Sequence, residues 1–302
     1  METLHLTCTA MNRPELFRRM LETLLACGPQ GWQLHVGVEP GPEQPAFRAI
    51  CAAVLPEGSF HVHENRQRLG VNGNPYQLIS KRFRDGADFV LALEEDLELA
   101  PDALALARWY RANHRSHWAA LNLLAGACGS AGFLSWPEEP APLFESRCFN
   151  SIGVGLTRAD WDRIAPVWSQ PPGPGGNGIR DLLSDWGWDW AIFGMVMQDP
   201  DLRVIQPVAA RCTHVGASGT FCTPEFQERA FARLELAQAA PVGPEGGYRL
   251  MSIDALPARI AAHANAQQES AFHLARHVLS TRPKGRLSRW LVDTKRRLRG
   301  RN

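Results

Sequence analysis

Three consecutive carboxylates, Glu94-Glu95-Asp96, close a strongly apolar run, Phe89-Val-Leu-Ala-Leu93. Acids at the end of a buried strand lose solvation and repel one another, and both effects raise their pKa values unless a positive charge compensates. A divalent cation does so, and hard carboxylate oxygens select Mg²⁺ or Mn²⁺ over zinc. Such an ion keeps several waters and takes phosphate oxygens from a substrate, so one or two protein carboxylates suffice. The plainer alternative is a solvated acidic turn before a helix starting near Pro101-Asp102, where acids suit the helix dipole. The apolar run before the triplet, and the alternation of Leu97 and Leu99 after it, favour the buried site.

Other segments pair a reactive group with a bland alternative. Thr9-Ala-Met-Asn-Arg-Pro14 places a helix N-terminus and Arg13 where a diphosphate would be favoured; equally, it is a helix start capped by Asn12 with Pro14 in the first turn. Trp186-Gly-Trp-Asp-Trp190 combines carboxylates at Asp185 and Asp189 with three tryptophans suited to stacking on sugar faces, or is a core aromatic cluster with a capping Asp. The stretch 65–74 is a loop rich in turn residues that also carries Arg66, Arg68 and Asn74. His214 follows Arg211-Cys-Thr, and Gly216 and Gly219 allow the loop around it to move.

The elements that must position these groups alternate. Strands are expected at 4–9, 33–38, 60–63 and 88–93, and helices from 12 through Leu16, Met20 and Leu24, at 46–54 and at 72–84. A β-α-β-α-β-α-β order predicts a mainly parallel sheet covered by helices on both faces, with ligands beyond the carboxyl ends of the strands. The acidic triplet lies at such an end. Beyond it, helices are expected at 101–114, 159–167, 185–197 and 223–236, and strands at 118–124, 149–156 and 202–205. Loops occupy 126–142 and the breaker-rich 170–178.

Bulk properties narrow the class. A chain of 302 residues with 45% hydrophobic content can bury a sizeable core. Seven cysteines without a CxxC pair suggest neither a disulfide framework nor a zinc site, and suit a reducing compartment. No leader-like or membrane-spanning run stands out. The net charge of +1 conceals a tail, 282–302, carrying +8, which leaves −7 for the rest. With Leu287, Trp290, Leu291 and Leu298, that tail suits an anionic membrane surface or is simply solvated; no nucleic-acid-binding motif accompanies it.

Residues 89–103, read as apolar strand, Glu-Glu-Asp, Leu, an acid and Ala-Pro-Asp, resemble the metal-binding segment of GT-A fold glycosyltransferases. The likeness is nearest to the family 13 N-acetylglucosaminyltransferases, whose pattern has Glu-Asp-Asp; Glu95 departs from it. Thr9–Pro14 is similar to that family and to the family 2 transferases, and 65–74 to that family. The resemblance implies that Asp96 binds Mn²⁺ or Mg²⁺ and His214 completes its shell. It places Thr9, Asn12, Arg13, Arg68, Asn74, Glu94 and Glu95 around the nucleotide. It makes Asp189, with Asp185 as the fallback, the general base of an inverting transfer.

The expectation is therefore an α/β, GT-A-like protein with a nucleotide half (1–100), an acceptor half (101–237) and a helical, peripheral extension (238–302). It would move sugar from a nucleotide-sugar donor, UDP-linked by default, to a glycan or lipid-linked acceptor. It would do so in the cytoplasm or at the inner membrane face, without nucleic acid. Two competing expectations are a sugar-phosphate nucleotidyltransferase, which should carry a Gly-rich basic loop that 9–14 lacks, and a non-catalytic sugar-nucleotide scaffold.

Overall fold

The computed structural model describes residues 4–127, 132–168, 187–217 and 222–281. The first strands and helices follow the expected alternation: β1 (Leu4–Ala10), α1 (Pro14–Ala26), β2 (Trp32–Val38), α2 (Gln44–Val54), β3 (Phe60–Glu64), α3 (Gly70–Arg84) and β4 (Phe89–Glu94). Next come β5 (Leu97–Leu99), α4 (Ala103–Asn113), β6 (Trp118–Asn122), β7 (Pro142–Ser146), β8 (Val154–Thr157) and α5 (Arg158–Ile164). The remainder comprises α6 (Trp188–Gln198), β9 (Arg203–Pro207), β10 (Cys212–His214), α7 (Pro224–Phe231), β11 (Arg249–Met251) and α8 (Ala258–Thr281).

Nine strands form one mixed, mainly parallel sheet in the order β11-β7-β9-β6-β8-β4-β1-β2-β3. β4, β1, β2 and β3 run parallel, so their carboxyl ends open on one edge. One face is covered by α1, α2 and α4, through Phe17, Met20, Leu21, Phe47, Leu104 and Tyr110. The other lies under α3, α5 and α6, through Ile79, Phe83, Trp161, Ile192 and Phe193. This is the expected α/β architecture, and β4 is buried on both faces as its continuous apolar run requires.

Some local expectations are corrected. Asn12 does not cap α1: it is exposed, Arg13 holds the cap position, and no side chain closes that end. Thr223 does cap α7, accepting from the Phe226 N–H, but that helix ends at Phe231. Residues 149–153 are bends and irregular chain, so the strand expected from 149 begins only at Val154. β7, whose first residue Pro142 falls in the expected 126–142 loop, is an interior strand of the sheet. The chain beyond 237 is not only peripheral: β11 forms the sheet edge beside β7, and Ala271 and Ala275 of α8 enter the core under α6. Asp185, Trp186, the 170–178 loop and the basic tail lie outside the described residues. Among the described residues, no helix is long and apolar enough to cross a membrane.

At the β1-β2-β3 edge, the face under α3 is built of imidazoles. His35 is buried; its ring stacks on His61 and His63 at 5.1 and 5.8 Å and contacts His5 and the Arg82 guanidinium. Burial, then the Arg82 charge, pushes His35 down to about 2, and the same causes lower His5 and His63. Asp85 and Asp88 oppose this at His5, whereas Lys81 and Arg48 add to it at His63. An unfolded imidazole accepts a proton below about pH 6.5 and folded His35 does not, so its contribution to stability is complete above that pH and falls as pH drops. The expected slope from His35 alone is about 1.4 kcal/mol per pH unit between pH 6 and 4. Urea midpoints against pH should show His35→Gln flattening this limb; an unchanged slope would show that burial does not hold His35 neutral.

Candidate functional site

The carboxyl ends of β1 and β4 are adjacent, with Thr9 in register with Glu94. The chain turns sharply after β4, and the Glu95 N–H donates to the Thr9 carbonyl. This turn directs Glu95 and Asp96, 2% and 1% exposed, into the protein rather than into solvent. Glu95 accepts from the Met11 N–H and from Arg13 Nε, both at 2.7 Å. Arg13 also reaches Asp96 Oδ2 at 2.6 Å through Nη1.

A second piece of sheet brings in the histidine. β10 pairs antiparallel with β5, matching His214 with Leu97, and the Val215 N–H donates to the Asp96 carbonyl. His214 Nε2 then lies 2.9 Å from Asp96 Oδ2. Its other ring nitrogen is fixed by Gln227 on α7: Oε1 is 3.1 Å from His214 Nδ1, and Nε2 donates to the His214 carbonyl. The strand itself is anchored by Arg211, fully buried against Asp102, which also accepts from the Tyr248 hydroxyl at 2.8 Å. Gly216 completes the packing, because a Cβ there would collide with Asp96 Oδ2 and sit 2.6 Å from Arg13 Nη1.

The electrostatics form one coupled cluster. Burial opposes ionisation of Asp96, but the His214 hydrogen bond and the charges of His214 and Arg13 prevail and lower its pKa. Burial likewise disfavours the imidazolium of His214, yet the Asp96 hydrogen bond and charge raise its pKa. Glu94 is raised to about 7 by burial, then by the charges of Asp96 and Asp189. Asp189, in the first turn of α6, is pushed up to about 6 by burial. Its charge adds to the rise at Glu94, so the two carboxylates lie within electrostatic reach of each other. A carboxylate poised near neutrality is a candidate general base.

The fit for a divalent ion rests on Asp96. Its Oδ1 is buried and, among the described residues, meets no hydrogen-bond partner, which leaves one coordination position open. Asp96 offers an oxygen, and His214 offers Nε2 once metal binding displaces the proton it shares with Asp96; no group of three or more His, Cys, Asp or Glu among the described residues converges further. The residues thus fit an ion that takes most of its shell from water and a substrate diphosphate.

The other expected site residues divide. Thr9 is half-buried at the end of β1, and Arg68 is exposed with Nη2 3.8 Å from Met11 Sδ, so both border the same edge. Asn74 is turned inward: its Nδ2 donates to the Gly37 carbonyl and its Oδ1 accepts from Asn65 Nδ2. Its side chain is committed to joining α3 to β2 rather than to a ligand. Trp188 and Trp190 are both 7% exposed; Trp188 stacks on Trp168 at 4.2 Å, so they are core rather than sugar platforms.

Several contacting residues have no signal in the sequence. Glu39, buried at the end of β2, accepts from the Leu69 and Gly70 N–H groups at 2.9 Å and fixes the start of α3. Asn72 Oδ1 accepts from the Trp188 N–H at 3.1 Å, and the Asn72 carbonyl accepts from Trp168 Nε1. Asn72 therefore ties α3 to the first residue of α6, next to Asp189. Gly187 before it has φ 154°, and a Cβ there would lie 2.6 Å from Asp189 Oδ1. Asn72→Ala should cost about 1 kcal/mol, the usual net value of one hydrogen bond, read from urea midpoints. A loss below about 0.3 kcal/mol would mean that the contact adds nothing in solution.

No protein-family model matches the chain, and neither does any curated protein. Solved structures are similar. The mannosyltransferase PcManGT from Pyrobaculum calidifontis, in complex with GDP-Man and Mn²⁺, aligns with TM-score 0.47 at 15% identity, covering 99% of this chain and 81% of that one. S. aureus TarS 1-349 aligns with TM-score 0.45 at 10% identity, covering 71% and 61%. The same TarS fragment in complex with UDP gives 0.45 at 11%, covering 70% and 59%. At these identities the likeness reaches no residue of the site.

Proposed function

We propose that the chain is a divalent-metal-dependent, inverting glycosyltransferase that moves a sugar from a nucleoside-diphosphate sugar to a hydroxyl of a glycan or lipid-linked acceptor. The supporting observation is the convergence, at the carboxyl end of β4, of ionised Asp96 with an open Oδ1, His214 and Arg13, with the raised carboxylate of Asp189 in electrostatic reach of Glu94. Asp96 and His214 hold Mn²⁺ or Mg²⁺, which when bound stabilises the charge of the departing diphosphate. Arg13 and the uncapped N–H groups at the start of α1 attract the same phosphates. Asp189 takes the proton of the acceptor hydroxyl as that oxygen attacks the anomeric carbon.

Residues 1–100 serve the nucleotide and 101–237 the acceptor, with 238–302 as an extension. The default donor is UDP-linked, carrying a hexose or N-acetylhexosamine. The working site is the cytoplasm, with the 282–302 tail meeting the inner membrane face. The test is release of nucleoside diphosphate from a panel of UDP-, GDP- and dTDP-sugars with Mn²⁺ and a mixed glycan acceptor pool. Release from donors of one base, stopped by EDTA, is expected. No release above background from any donor would overturn the reading.

A further inference from the structure

The cation position at Asp96 is already served from within the chain. The Arg13 guanidinium spans two buried carboxylates, with Nε on Glu95 and Nη1 on Asp96 Oδ2, the oxygen that also faces His214. Glu95 is held in turn by the Met11 N–H, which sets the direction of the fork. Gly216 leaves no side chain to push Arg13 aside. A divalent ion on Asp96 would stand a few ångströms from this guanidinium in a poorly hydrated site, where like charges repel strongly. Glu95, the departure from the Glu-Asp-Asp pattern, is the residue that grips Arg13.

We propose that Arg13 is a built-in counter-cation that competes with the divalent ion for Asp96. This rests on the reading of Asp96 as the metal ligand. Arg13 neutralises the carboxylates in the metal-free protein; metal entry releases its fork from Asp96, and the freed donors are then available to phosphate oxygens. Binding of the ion and pairing of Arg13 thus oppose each other through one carboxylate.

The test is a Mn²⁺ titration of the full chain without nucleotide, with free Mn²⁺ read by electron paramagnetic resonance, alongside melting curves. Arg13→Gln should bind Mn²⁺ about tenfold more tightly or better. It should melt below wild type without metal and recover at saturating Mn²⁺. Arg13→Lys, which keeps the charge but not the fork, should fall between. Arg68→Gln, which removes an exposed neighbouring cation, should stay within about twofold of wild type, because solvent and salt screen it. Equal or weaker binding by Arg13→Gln overturns the competition, as does an equal gain in Arg68→Gln, which would mark a general field effect. Wild-type binding without that gain leaves the metal reading standing and removes only the competition. If neither wild type nor Arg13→Gln binds Mn²⁺, both fall.

Discussion

Asp189→Asn is expected to lower turnover by about 10²–10⁴-fold, the usual worth of a positioned general base, while donor binding stays near wild type. The substitution keeps shape and removes the proton-accepting charge. Wild-type turnover should rise with pH through about 6, the value to which burial raises Asp189, because the base acts as its carboxylate. Stability should move the other way. The folded carboxyl binds its proton more tightly than the unfolded one, so ionising it costs stability as pH rises from about 4 through 6. Above pH 7 that cost is complete, on the order of 3 kcal/mol, and the Asp189→Asn variant does not incur it. A variant that melts higher at pH 8 yet is inactive is the expected pairing. Full turnover in Asp189→Asn would move the base elsewhere, with Asp185 the next candidate.

Asp96→Ala is expected to abolish metal-dependent nucleotide binding and to reduce turnover by about 10²–10³-fold or more, as loss of a group that stabilises transition-state charge does. It removes the orphaned Oδ1 and leaves His214 without its acidic partner, so the His214 pKa should fall back from its raised position. Arg13 keeps Glu95, so the fold at β1 and β4 should survive. The measurements are Mn²⁺-dependent nucleotide binding by calorimetry and the His214 titration by NMR. Unchanged metal-dependent binding would show that the ion sits elsewhere.

The first hundred residues are legible because their signals are local. Continuous apolar runs, one-sided helical spacing and breakers at each turn define β1 to β4, and the parallel sheet then places Glu94–Asp96 at a ligand edge. The pairing of His214 with Asp96 follows in the sequence only from resemblance; its physical cause is a pair of three-residue strands, β5 and β10, too short to leave a periodic pattern. β7 is hidden by a starting proline and Gly/Pro-rich flanks, although β11 and β9 hold it on both sides. Glu39, Asn72 and Gln227 act through contacts distant in sequence, and nothing in their neighbours marks them. Asn74 shows the reverse: an asparagine in a suggestive loop is spent on the backbone of Gly37.

The most direct measurement is the melting temperature of the wild-type chain with UDP, GDP, CDP and dTDP, each with and without Mn²⁺. A ligand that binds only the native state raises the midpoint by mass action. The account predicts a rise with one base, present with Mn²⁺, absent with EDTA and absent in Asp96→Ala. No rise with any nucleotide at about 10 mM, well above a millimolar dissociation constant, would contradict a nucleotide-sugar site at Asp96.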